Sequence, residues 1–196
     1  MRTNPPLWND ALLSLFLKPD VFQTVSGDLL EQYRDSILPA QGLAAADQWY
    51  WRQVLALILR KIMPWAGLFA ASYVAREVLD ALVPTSDFHL RSEVSTGIAA
   101  SLLLLTGFVT SWRSGSFFSG LIAGFALTIA AAVLSVCGLG LFLAIWHDPG
   151  TMTGFALSGG LGEAFALPVT LVLPGAFIGA FGGILGAGAR RFTRIA

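Results

Sequence analysis

Arg76, Glu77 and Asp80 invite a chemical reading first, because they sit together in the last turns of an otherwise apolar stretch. Ionisable groups at membrane depth are expensive to bury and are functional candidates by default. Arg76 and Asp80 stand four apart, so on a helix they share a face and can pair. That geometry fits a structural ion pair near the outer end of a span; the alternative is part of a substrate or ion path. Glu163 is the other candidate, a carboxylate that precedes an apolar run. At a helix start it would complement the positive end of the helix dipole; the competing role is proton or cation handling.

The remaining reactive types are sparse. His89 and His147 are the only histidines. His147, between Trp146 and Asp148-Pro149-Gly150, could ligate a metal or tetrapyrrole, but a lone imidazole fits a turn or interface as well. Cys137 is the single cysteine, so no disulfide forms within the chain, and metal-ligand spacing is absent. Ser114-Gly115-Ser116 and Ser158-Gly159-Gly160 have no base nearby and read as turns. No nucleophile elbow, paired carboxylates or phosphate-binding G-x-x-x-x-G-K-[ST] loop occurs. The expectation is therefore no enzyme, no cofactor and no metal.

Composition says what must position these residues. Of 196 residues, 55% are hydrophobic and 12% charged, with zero net charge. A soluble domain carries roughly a quarter charged residues, so lipid must cover the deficit, and no basic footprint for nucleic acid exists. About 20 apolar residues cross a bilayer. Four spans are expected, at about 64–83, 94–112, 117–146 and 165–188. The first carries the charged trio, and Pro84-Thr85-Ser86-Asp87 closes it. The third is long enough that it must tilt, extend beyond the lipid, or break near Gly138-Leu139-Gly140. His147-Asp148-Pro149-Gly150 ends it, and residues 151–163 read as a Gly/Thr/Ser-rich re-entry or short surface helix.

The fourth span carries Gly175, Gly179 and Gly183 at four-residue steps, with Gly182 and Gly186 as a second stripe; Gly120 and Gly124 repeat the motif on the third. Bare stripes let another backbone approach. The neighbour is either the other span of this chain or a partner protein.

Residues 1–62 read as a small helical head, distinct from a transmembrane domain over 63–196. Asn4-Pro5 marks a helix start, with Trp8, Leu12, Leu15 and Phe16 on one face. Lys18-Pro19-Asp20 opens a second helix, where Val21, Val25, Leu29, Tyr33 and Ile37 make an i, i+4 stripe. Gly27 would let the first helix come close, and Pro39-Ala40-Gln41-Gly42 is a turn. A third helix follows, in which Trp49, Tyr50, Trp51 and Arg52 are expected as membrane-interface anchors, leading along the membrane surface into the first span; the alternative is a packed helix that uses its tryptophans as core. The N-terminus lacks the apolar core of a secretory signal and is expected to stay where it is made.

Leu12 to Leu17, then Gly27-Asp28-Leu29, Glu31, Tyr33-Arg34 and, after a spacer, Trp49-Tyr50-Trp51-Arg52-Gln53 carry a further reading. Over about residues 7–60 the chain resembles the permease prefix domain, a short helical head joined to export-type ABC permeases of acidobacteria and related soil bacteria. The resemblance implies a similar cytoplasmic head. Those permeases carry a large extracytoplasmic domain between their first two membrane helices, whereas here about Pro84 to Glu93 fills that place. Transport activity is therefore not carried over.

An even number of spans puts both termini on one side, with Arg52, Arg60, Lys61, Arg113, Arg190, Arg191 and Arg194; the opposite loops offer Arg91 with Asp87, Glu93 and Asp148. By the positive-inside rule that side is cytoplasmic. The expectation is an all-α, multi-pass protein of a bacterial inner membrane. It would be a non-catalytic accessory or scaffold subunit in contact with lipid and a larger membrane complex, an export permease or a bioenergetic or photosynthetic assembly. The alternative is a small oligomeric transporter or channel. A cysteine placed at Ser86 should react with an impermeant maleimide in intact spheroplasts; labelling only after the membrane is broken would reverse the orientation.

Overall fold

The computed structural model describes residues 4–83 and 88–193, and among them every regular element is helical. The loop expected at Pro84–Asp87 and the basic Arg194 lie outside the described residues. Two helices open the chain, α1 (Leu7–Phe16) and α2 (Pro19–Gln32). A π-helical turn (Tyr33–Ile37) and the short α3 (Leu38–Gln41) continue α2. Then come α4 (Leu43–Leu82), α5 (Phe88–Ser114), α6 (Phe118–Ile145), α7 (Pro149–Leu157), α8 (Gly160–Thr170) and α9 (Val172–Thr193). Four helical stretches are long and apolar enough to cross a membrane: α4, α5 from His89, α6, and α8 with α9 taken together.

Helix starts follow local chemistry. Pro19 occupies the first turn of α2, where its missing N–H leaves nothing unpaired. The first helix begins at Leu7, later than Asn4-Pro5 suggests, because the Asn4 side-chain oxygen accepts from the Arg34 guanidinium instead of capping. Gly27 faces open space and gives no close approach. The α1–α2 link is a hydrogen bond from the Ser26 hydroxyl to Asp10 at 3.1 Å. The segment expected as a Pro39–Gly42 turn is mostly helical and ends at Gly42, whose φ of 80° lies in the left-handed region. At the other end of the bundle Asp148 caps α7: Oδ1 accepts from the Gly150 and Thr151 amides and Oδ2 from the Thr151 hydroxyl. The Thr151 hydroxyl first, then these amides, hold its carboxyl below the usual carboxylate range. The re-entry expected at 151–163 is therefore largely helical.

The longest element differs most from expectation. The surface helix and the first span are one helix of 40 residues, and Pro64 lies inside it. The boundary placed at 62/63 falls within that helix. Its buried positions run Ala46, Tyr50, Val54, Ile58, Ile62 and Ala66, then Phe69, Ala70, Tyr73, Glu77, Asp80 and Ala81. Each four-residue step overshoots a full turn by about 40°, so five steps carry the buried stripe roughly 200° round the helix. One side of α4 thus serves the head and the opposite side serves the bundle. One apolar cluster therefore runs from Leu13, Phe16 and Tyr33 through Tyr50 and Ile62 to Leu103, Leu127 and Ala131, and a second gathers Ala81, Leu139, Phe142, Phe155 and Ala164.

In the bundle, α9 packs most extensively against α5 and α6. The α6 helix is unbroken through Gly138-Leu139-Gly140 over its 28 residues, about 42 Å. That length matches a bilayer with its headgroup layers. The span expected at 165–188 is interrupted: α8 ends at Thr170 and α9 starts at Val172, with Pro168 before the break and Pro174 after it.

Both glycine stripes of α9 are filled by this chain. A Cβ on Gly179 would stand 2.6 Å from the Gly120 carbonyl oxygen and 2.7 Å from Gly124 Cα. One on Gly183 would meet Phe117 and Gly120, and those on Gly182 and Gly186 would strike the backbones of Leu104 and Phe108 in α5. Gly175 makes room for the Thr128 methyl. These faces are therefore not open to a partner. Gly179→Ala should lower stability by about 1–3 kcal/mol through overpacking, measured by denaturation in detergent micelles. Gly97→Ala, where a Cβ meets nothing within 4 Å, should be neutral or gain up to about 1 kcal/mol of helix propensity.

Candidate functional site

The charged trio occupies the last turns of α4. Glu77 and Asp80 are buried at 3% and 0% exposure, and with Tyr73 they share one face at i, i+4, i+7. Arg76 bridges both carboxylates: Nη1 lies 3.2 Å from Glu77 Oε1 and Nε lies 3.0 Å from Asp80 Oδ2. Asp80 Oδ1 takes a second guanidinium, from Arg91 of α5, at 3.0 Å. The Nη1 of Arg91 also donates to the carbonyls of Leu79 at 3.0 Å and Val83 at 2.9 Å. The Leu79 carbonyl also accepts from the Val83 amide at 2.9 Å, and Val83 follows directly on the last residue of α4. Arg91 therefore closes the end of α4 as well as the ion-pair network.

Glu163 stands apart from that network. It is exposed, in the first turn of α8. Its carboxylate folds over Gly159, whose φ is 110° and where a Cβ would collide with it. This is the helix-start position at which the dipole favours a negative charge. Glu163 and Arg76 do meet at one feature, a cavity of about 230 Å³ that they line with Ser92, Thr96, Phe69 and Leu171. The interruption between α8 and α9 borders it.

Tyr73 ties the two regions together. Its hydroxyl donates to the Ala164 carbonyl at 2.7 Å. In a regular helix that carbonyl would accept from the amide four residues on, but residue 168 is a proline without an N–H. The Tyr73 hydroxyl thus replaces the missing donor. Thr128 of α6 donates to the Gly124 carbonyl of its own helix at 2.8 Å, and its Oγ1 lies 3.4 Å from the Val172 carbonyl at the start of α9.

The other expected residues are dispersed. Tyr50 is wholly buried and donates to Asp10, so it belongs to the head core and is not an interface anchor. Trp51 pairs with Trp8 at 4.8 Å, Trp49 is half-buried and Arg52 exposed. His89, His147 and Cys137 are exposed, and the described residues hold no group of three His, Cys, Asp or Glu side chains placed to bind a metal. No protein-family model, curated protein or solved structure matches this chain.

Sequence reasoning missed Arg91, Tyr73 and Thr128. Arg91 had a signal, a cation at the start of one helix directly after the end of another. Tyr73 had one in combination with Pro168, since a proline inside an apolar run announces a carbonyl in search of a donor.

Tyr73→Phe should destabilise the protein by about 1–3 kcal/mol, the cost of an unsatisfied buried acceptor. In a Pro168→Ala background, where an amide is restored, the same change should cost at least about 0.5 kcal/mol less. Strict additivity in that double-mutant cycle, measured by denaturation in micelles, would show that the hydroxyl does not replace the amide.

Proposed function

We propose that the chain is a multi-pass protein of a bacterial inner membrane, with head and C-terminus cytoplasmic, serving as a non-catalytic accessory or scaffold subunit of a larger membrane complex. The observation that supports this most directly is how the ionisable groups of the spans are used. Arg76, Glu77, Asp80 and Arg91 are engaged with one another and with the carbonyls of α4, which makes them a lock rather than a path. The cationic residues agree with the orientation: Arg190 donates to the Arg113 carbonyl at 2.9 Å, and Lys18 of the head lies beside Trp112 and Arg113. By resemblance of the head the partner is an export permease; a bioenergetic assembly is the other class. A force on the head would act first at the junction of α1, α4 and α6, where head and spans share one core.

A small oligomeric transporter is the second reading, favoured by the cavity between Arg76 and Glu163 beside an interrupted helix. Discontinuous helices at binding sites are a transporter device.

Mild detergent extraction of native membranes, native-gel separation and mass spectrometry should recover the chain in a large assembly at fixed stoichiometry with other subunits. Recovery as a pure homo-oligomer, with solute flux in liposomes that Glu163→Gln abolishes, would replace the accessory reading with the transporter one.

A further inference from the structure

A groove of about 640 Å³ lies between α4 and α6 at the head end, with apolar side chains along its walls. Leu55, Leu59 and Met63 of α4 face Phe125, Ile129 and Val133 of α6. Leu12 and Phe16 of α1 close the head end beside Trp51. Phe177 and Phe181 on α9, by contrast, are simply exposed.

We propose that this groove holds one acyl chain of an anionic phospholipid from the head-side leaflet, with its phosphate at Arg52. Length argues for a lipid over a partner's transmembrane helix. From Trp51 to Met63 along α4 the groove spans about 18 Å. One leaflet of hydrocarbon is about 15 Å deep, whereas a second helix needs a seam of about 30 Å. Charge specifies the headgroup. Arg52 is exposed one turn beyond Leu55, on the same side of α4 as Leu55 and Leu59. From Gln48 to Arg76 that helix carries no carboxylate. Juxtamembrane cations of this kind attract anionic lipid. The Trp8–Trp51 pair, its rings 4.8 Å apart, stands at the same end, and amphipathic rings favour the headgroup level. The inference rests on the membrane placement proposed above and not on the accessory role.

The test uses the full chain purified in mild detergent, after resistance to alkaline carbonate extraction has established membrane placement separately. Phosphatidylglycerol and phosphatidylcholine with identical acyl chains are added in mixed micelles and the complexes examined by native mass spectrometry. One phosphatidylglycerol per chain should survive activation that strips phosphatidylcholine. Arg52→Gln should reduce that preference about fivefold. Ile129→Trp, which fills the groove, should remove the adduct, and Leu141→Trp, on an exposed part of α6 outside it, should not. Should Ile129→Trp fold poorly, the wild-type chain with a phosphatidylglycerol bearing an acyl diazirine gives the same answer. Label should concentrate in the peptides carrying Leu55–Met63 and Phe125–Val133. Equal labelling of Phe177–Leu185 on α9, an adduct unaffected by Ile129→Trp, or a co-purifying polypeptide lost in that variant would overturn the proposal.

Discussion

Inside a bilayer a carbonyl or a charge finds no water, and each one left alone costs several kcal/mol. Placed in a bilayer as proposed above, this chain would meet that demand through contacts of its own. Pro168 removes an amide from α8, and the Tyr73 hydroxyl takes over at 2.7 Å. At the end of α4, Arg91 reaches back to the carbonyls of Leu79 and Val83. Asp80, buried with no exposed surface, is tolerable because two guanidiniums hold its two oxygens. Removing one partner of such a group is far more damaging than the net stability of the set suggests, because the other charge stays buried. The Tyr73 and Arg91 contacts each join two helices, so satisfying polar groups also fixes how the far end of the bundle is assembled.

The head end is held by different means. Apolar packing dominates there, and the geometry of α4 makes it possible for one helix to serve two neighbours. A stripe stepping by four residues winds round the helix, so Tyr50 and Val54 meet the head while Ala66 and Phe69 meet the bundle. A stripe confined to one face would have left either the head or the spans without a partner. The glycines of α9 solve the remaining problem, bringing three helices to backbone contact without side chains between them. With those faces occupied, a partner would have to meet some other surface of the chain, such as the aromatic outer side of α9 or the exposed apolar residues of α5.

Much of this was legible in the residues. Long apolar runs announced the four candidate spans, and the four-residue spacing of Arg76 and Asp80 announced their pairing. The glycine stripes announced close helix contact, although spacing alone did not say with which neighbour. The continuity of α4 was hidden by Pro64, which reads as a helix start. Inside a helix that proline deprives only the Arg60 carbonyl of its donor, at an exposed position near a basic pair. The interruption at Leu171 was announced by Pro168 and Pro174 but hidden by the uniform hydrophobicity around them. Asn4 was misjudged because its partner, Arg34, is distant in sequence, and local capping rules have no term for such a competitor.

The contrast between the two ends constrains function more than any single residue does. At the far end, α4, α5 and α8 are linked by ion pairs and by a hydroxyl that stands in for a peptide amide. Rearranging them requires breaking buried charge pairs, for which nothing in the hydrocarbon offers a substitute. At the head end apolar side chains against α1 and the walls of a groove surround a few hydrogen bonds, among them that from Tyr50 to Asp10. The apolar contacts can exchange one hydrocarbon neighbour for another, lipid chain for side chain, at little cost, because the surroundings are as apolar as the contact itself. A force applied to the head would therefore be taken up at the α1, α4 and α6 junction, with the far end acting as a fixed anchor. That division suits a subunit that senses or positions something on the head side. It suits less well a carrier that must open alternately at both ends, since one of its two gates would be closed by Arg76, Glu77, Asp80 and Arg91 themselves.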